Sequence, residues 1–140
     1  MIIIIIIMNW SARKSVGDGN IYVKNLVSEF QKISPPKDAR TDGMSVSSRS
    51  SAALVESRYS TQLSLDALMY SYGQQLSHNG WTDIGRFHGT SNLYEVYCKG
   101  TFEASIEILP TDQGWGILYR FGMVWNGVSI HECSPQNKVN

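Results

Sequence analysis

One segment near the end of the chain alternates apolar and polar side chains, and the next carries a large apolar or aromatic side chain at every second position; this regularity constrains the fold more than any other feature. Residues 101–109 read TFEASIEIL and residues 115–125 read WGILYRFGMVW, with TDQG between them at 111–114. A period of two places successive side chains on opposite faces of a β-strand. The segments therefore predict an antiparallel hairpin with one apolar face, which a second layer of structure must cover.

Four more segments have the length and composition of strands. They are bounded by turn-forming residues, and the last two are rich in β-branched or aromatic residues; the four comprise residues 44–48, 52–61, 81–87 and 93–99. The serine-rich stretch that begins the series has a second interpretation as a flexible loop. Residues 37–43, which precede it, are polar and predict a turn.

Two segments repeat apolar residues at the period of an α-helix. Residues 21–34 follow a capping Asn20 and end before a Pro-Pro pair, which cannot continue a helix. Residues 65–78 follow a capping Ser64 and end at an Asn-Gly pair, which is a typical helix stop. Gly73 lies inside this second helix and indicates a close approach of the helix backbone to the sheet.

The order of these elements is α-β-β-α-β-β-β-β, with short links in the second half. Short hairpin links join antiparallel strands, so the pattern predicts an α+β fold: an antiparallel sheet of five to six strands with two helices packed on one face. A chain of 140 residues suffices for one such domain. We predict that it spans residues 21–130, after a linker at 9–20 and before a flexible tail at 131–140.

The chain begins MIIIIIIMNW, and the isoleucine run at residues 1–8 has three interpretations. As a helix it spans about 12 Å, against roughly 30 Å of hydrocarbon, so it is at most the remnant of a longer membrane anchor. Six β-branched residues are also typical of an edge strand. The favoured interpretation is an addition made for expression, because the run has the layout of a hexahistidine tag. These residues are left out of the fold prediction.

Charge and cysteine content exclude several classes of function. Twelve basic and twelve acidic residues cancel, which provides no basic face for nucleic acid. The three histidines and two cysteines lack the spacing of metal ligands, so we expect no metal site and no cofactor. Cys98 and Cys133 are either bonded, in an oxidising compartment, or two free thiols; both interpretations stay open.

The last predicted strand is the main candidate for a binding site. Its large side chains on one face either fill the core beneath the helices or form an aromatic surface that binds a partner. In the second interpretation the strand and a nearby glycine-flanked loop supply the binding residues, which are Trp115, Tyr119, Arg120, Trp125 and His88.

A catalytic set is a weaker hypothesis. His88, Ser91 and Asp83 are of the residue types used by hydrolases, but nothing spaces them as a nucleophile elbow. Glu103 and Glu107 lie roughly 13 Å apart along one strand, which is too far for a pair of glycosidase carboxylates. We therefore predict no catalytic residues.

The stretch SRYSTQLSLDALMYSYGQQLSHNGWTDIG, with YEVYCKGTFEASIEI and GWGILYRFGMVW after it, resembles a group of small bacterial envelope proteins of uncharacterised function. Their pattern is a strand, a helix ending in Leu and then Gly-Trp, a Tyr-x-Lys-Gly hairpin and a final aromatic strand. The matching positions are Tyr72, Leu76, Gly80, Trp81, Tyr97, Lys99, Gly100 and Trp125. The resemblance implies one N-terminal membrane anchor and a domain outside the cytoplasm.

From these observations we expect a non-catalytic, extracytoplasmic protein-binding domain, located in the periplasm or anchored to the membrane facing it. Its most concrete form is an immunity-type protein that neutralises a toxin delivered to the periplasm. The alternative is a structural or assembly component of the bacterial envelope, and the third hypothesis is a small hydrolase using the loop of His88. The expected partner is another protein, with no nucleic acid, and with membrane contact only through an N-terminal anchor.

Overall fold

The computed structural model describes residues 19–49, 51–89, 92–111, 114–126 and 133. Within them the chain forms two helices and six strands. In chain order these are α1 (Gly19–Gln31), β1 (Arg40–Arg49), β2 (Ala52–Thr61), α2 (Leu65–His78), β3 (Thr82–His88), β4 (Leu93–Lys99), β5 (Phe102–Leu109) and β6 (Ile117–Asn126). The predicted isoleucine segment at 1–8, most of the linker and, apart from Cys133, the tail at 131–140 lie outside the described residues.

The strands form one antiparallel sheet in the order β1-β2-β6-β5-β4-β3. Both helices pack on the same face, because Phe30 of α1 and Tyr72 of α2 each contact the ring of Phe121 on β6. The predicted α+β fold is confirmed, including the element order and the placement of the helices.

Helix α2 has the ends that its sequence predicts. The Ser64 hydroxyl accepts a hydrogen bond from the backbone N–H of Ala67, and Asn79 closes the last turn. The side chain of Gln75 then joins α2 to the end of α1, because its amide bonds both the N–H and the carbonyl of Ser34, at 2.8 and 2.9 Å. The helices are therefore tied to each other as well as to the sheet.

Helix α1 and strand β1 both begin earlier in the chain than the sequence predicts. Helix α1 begins at Gly19 rather than after Asn20, since the Asn20 side chain accepts a hydrogen bond from Ser48 of β1 and is buried there. Strand β1 begins at Arg40, within the predicted turn, because it follows β2 along its whole length. In both cases pairing with a distant segment extends the element beyond its local signal.

The two edge strands are interrupted by irregularities. The register of β1 shifts between Thr41 and Met44, and that of β3 shifts between Asp83 and Gly85. A bulge bends the strand and breaks the row of unpaired backbone groups, which opposes edge-to-edge aggregation. The bulge in β3 also sets the position of Asp83, described below.

Candidate functional site

The aromatic face of β6 lies beneath the helices. The ring of Trp125 stacks on Tyr22 of α1 at 4.3 Å, and the Tyr119 hydroxyl is 2.9 Å from the hydroxyl of Tyr72. Both side chains are buried, as are Phe121 and Met123. The structure thus favours the core interpretation for these residues over a surface that binds a partner.

The other predicted binding residues lie apart from one another. Trp115 precedes β6 and carries the guanidinium of Arg40 over its ring at 3.8 Å. Arg120 lies on the sheet face opposite the helices, with its guanidinium 2.6 Å from Glu107 and 3.5 Å from Glu56. These contacts connect neighbouring strands, and they do not bring Trp115 and Arg120 into one site.

His88 is exposed at the end of β3, opposite Leu93. Its hypothetical partner Ser91 lies outside the described residues. Asp83, the third member of that set, instead lines a cleft to which His88 does not contribute. The described residues therefore do not assemble the hydrolase set.

A cleft lies between α2 and the β3–β4 hairpin, on the helical side of the sheet. Its volume is about 340 Å³, and it is open to solvent. We call it the α2–β4 cleft. Its lining residues are Asp66, Met69, Tyr70, Gly73, Gln74, Ser77, Asp83, Arg86, Glu95 and Tyr97.

Strand pairing brings the charged residues of the cleft together. Asp83 lies opposite Tyr97 and Arg86 lies opposite Glu95, so all four occupy the helical face of the β3–β4 hairpin. Asp83 also accepts a hydrogen bond from the N–H of Gly85 at 2.9 Å, which holds its carboxylate at the bulge. The hairpin presents a fixed set of polar groups to α2.

The helix approaches this set closely at Gly73. A Cβ added there would lie 3.0 Å from the hydroxyl of Tyr97, a tight contact, so glycine leaves room for the tyrosine to reach the cleft. The sequence predicts a close approach of the helix backbone to the sheet at Gly73, but among the described residues only the end of the Tyr97 side chain lies within 4 Å of that Cβ.

The electrostatics of the cleft centre on Glu95, which is only 9% exposed. Its Oε1 accepts hydrogen bonds from Arg86, at 3.0 Å from Nε and 2.9 Å from the second guanidinium nitrogen. Burial, and then a hydrogen bond with Asp83 that favours the protonated acid, nevertheless raise the pKa of Glu95 above its ordinary value of 4.5. The attraction of Arg86 offsets this effect only in part.

Tyr97 contributes a hydroxyl that can still form a hydrogen bond. The residue is 3% exposed, and burial, with the neighbouring charges of Asp83 and Glu95, raises its pKa to about 12. The phenol is therefore neutral at physiological pH and can donate or accept. Among the residues that the structure describes, its hydroxyl makes no hydrogen bond, and its oxygen is open to solvent in the cleft.

Replacing Glu95 by glutamine tests this electrostatic description. The amide keeps the size of the side chain and can still bond Asp83 and Arg86. Since the folded-state pKa of Glu95 is raised, ionising it opposes folding, and this cost grows as pH rises from 4.5 through the folded-state pKa. We expect E95Q to be more stable than the wild type at pH 7, with a smaller difference at pH 5.

The measurement is urea unfolding of both proteins at pH 5, 6 and 7. Asp42→Asn is the control, because it removes a carboxylate from an exposed position on β1. A difference between E95Q and wild type that stays constant across this range, or widens towards pH 5, contradicts the description.

Within the described ranges, neither helix has the length and apolar content needed to span a bilayer. The comparisons with protein-family models, curated proteins and solved structures found no match to this chain. The resemblance to bacterial envelope proteins therefore stays a prediction.

Sequence reasoning missed the cleft, although part of its signal was present. The predicted strands 81–87 and 93–99 form a hairpin, and its register alone pairs Arg86 with Glu95. An arginine opposite a glutamate on the face that packs under a helix indicates a partly buried ion pair. Only the position of α2, however, makes this pair the floor of a cleft.

Proposed function

We propose that this protein is a non-catalytic, extracytoplasmic protein-binding domain, and in its most concrete form an immunity-type protein that neutralises a toxin delivered to the periplasm. The observation that carries the proposal is the α2–β4 cleft with the aromatic ring beside it. Tyr70 is 68% exposed and stands at the edge of buried polar groups that retain hydrogen-bonding capacity. Tyrosines beside pockets that lose their water when the partner binds are typical of energetically important positions in protein interfaces.

A disulfide supports the extracytoplasmic part of the proposal. Cys98 on β4 is bonded to Cys133, so of the two interpretations of the cysteines the structure has the bonded one. Disulfides that stabilise a fold form and persist in oxidising compartments such as the periplasm. The cystine lies on the side of the sheet opposite the α2–β4 cleft, because Cys98 follows Tyr97 on the strand and faces the other way. It therefore leaves the cleft accessible.

Recovery of a partner from the native envelope tests the proposal. Wild-type protein, Tyr70→Ala and Met44→Ala are used as baits on solubilised envelope fractions. Met44 is the matched control, since it is an exposed apolar side chain on β1, at the far edge of the sheet. We expect Tyr70→Ala to reduce recovery of the specific partner about tenfold, as for an interface hot spot, and Met44→Ala to leave it unchanged.

The identity of the partner decides between the two binding functions. A toxin encoded next to this protein, whose lethality in the periplasm is relieved by the wild type and not by Tyr70→Ala, supports the immunity function. If the partner is instead a resident component of the envelope, the assembly function replaces the immunity function. Equal recovery by all three baits, or no specific partner, overturns the proposed role of the cleft surface.

A further inference from the structure

We infer that the α2–β4 cleft receives a basic side chain, lysine or arginine, presented by the partner protein. This inference rests on the proposed protein-binding function and names the chemistry of the group that is bound. It is argued from charge, from an unused hydrogen-bonding group, from the shape of the cleft and from its aromatic edge.

The charge of the lining favours a cation. Three carboxyl groups line the cleft, those of Asp66, Asp83 and Glu95, against the single guanidinium of Arg86. Arg86 is already paired with Glu95 at 2.9 Å. An anionic ligand would face two further carboxylates without a free cation, whereas an ammonium or guanidinium group would pair with one of these carboxylates.

The Tyr97 hydroxyl is the second and independent observation. It belongs to a residue that is only 3% exposed, and it reaches the cleft beside Gly73. Among the described residues it has no hydrogen-bond partner. A neutral phenol accepts a hydrogen bond from an ammonium or guanidinium N–H. Its oxygen is open to solvent in the cleft of the free protein, so a bound ammonium or guanidinium group exchanges a hydrogen bond with water for one with the phenol.

The dimensions and the edge of the cleft fit a long basic side chain. A volume of about 340 Å³ corresponds to roughly eleven water molecules at about 30 Å³ each, which is ample for one lysine or arginine side chain. The exposed ring of Tyr70 and the side chain of Met69 both line the cleft and can pack against the aliphatic stem of the basic side chain. An aromatic face also attracts a cation directly.

An NMR titration of the full-length, oxidised, ¹⁵N-labelled protein tests the inference without the partner. The probes are the capped tripeptides Gly-Arg-Gly, Gly-Gln-Gly and Gly-Glu-Gly, together with calcium chloride. We expect Gly-Arg-Gly to shift the amide signals of Gly73, Gly85 and Tyr97 saturably at millimolar concentration. The neutral and acidic tripeptides should leave them in place.

Two variants and one control locate the interaction. Asp83→Asn keeps an oxygen for the Gly85 N–H and removes the charge, so it should weaken Gly-Arg-Gly binding about tenfold. Tyr97→Phe keeps the ring and removes the hydroxyl, and should weaken it about threefold. Asp42→Asn makes the same charge change outside the cleft and should have no effect. The dispersion of the amide spectrum of each variant reports whether it is folded.

Failure of the inference is distinguishable from failure of the proposed function. No saturable shift at the cleft with Gly-Arg-Gly, equal shifts with Gly-Glu-Gly, or shifts with calcium alone overturn the basic side chain as the bound group. If the envelope baits meanwhile recover a partner equally with wild type and Asp83→Asn, the binding function stands and only the cleft assignment falls. If Gly-Arg-Gly binds and no partner is recovered, the cleft chemistry stands and the proposed function falls.

Discussion

Phe121→Ala is expected to lower the free energy of unfolding by about 3–5 kcal/mol, a large part of the stability of a small domain. The ring is 1% exposed and lies at the centre of the core, where it stacks on Phe30 at 5.2 Å and contacts Tyr72 at 4.7 Å. This single side chain of β6 contacts both helices. Truncation to alanine removes the buried ring and leaves a cavity. The two helices and the sheet around it cannot all move in to fill that cavity.

Urea unfolding followed by tryptophan fluorescence measures this loss. Tyr70→Ala is the control, since it removes an aromatic ring of similar size from an exposed position and should change the free energy of unfolding by less than about 0.5 kcal/mol. If the free energy of unfolding falls equally in the two variants, Phe121 does not lie at the centre of the core.

The second large effect is expected from the disulfide. Replacing Cys98 and Cys133 together by alanine should lower the free energy of unfolding by about 3–4 kcal/mol, because the bond closes a loop with a sequence separation of 35 residues in the unfolded chain. Alanine is the suitable replacement since both positions are buried, and serine would leave unpaired hydroxyl groups there.

Chemical reduction of the wild type provides the control for this variant. A phosphine reductant should lower the stability of the wild type to that of the double variant and leave the double variant unchanged. A wild type that keeps its full stability after verified reduction would show that the bond does not stabilise the fold. The mass of the protein isolated from its native compartment, with and without alkylation, reports whether the bond forms there.

Local sequence signals were sufficient for most of the elements. Helix α2 has a capping serine, a continuous apolar stripe and an Asn-Gly stop, and it lies at the predicted positions. Strand β4 matches its predicted range of 93–99, and β5 alternates as predicted, because a period of two is meaningful without knowledge of the neighbours. These signals also determined that one face of the sheet must be covered.

Element ends, by contrast, depended on distant contacts. The start of α1 at Gly19 is set by its burial against the β1–β2 hairpin, and the start of β1 at Arg40 is set by its pairing with Ser60. Neither partner is near in sequence, so a local propensity could not place these boundaries. The pairing of Cys98 with Cys133 was open for the same reason.

The sequence by itself determined the class of fold, the order of its elements and the apolar face of the β5–β6 hairpin, since these follow from short-range periodicity. Whether Tyr119 and Trp125 are core or surface was decided only by the position of the helices over β6. The α2–β4 cleft was decided there as well: it needs α2, β3 and β4 side by side, and packing alone brings Tyr70, Asp83 and Tyr97 to one opening. Periodicity specifies which face is buried, but the depth and lining of a cleft arise from how the covering layer fits.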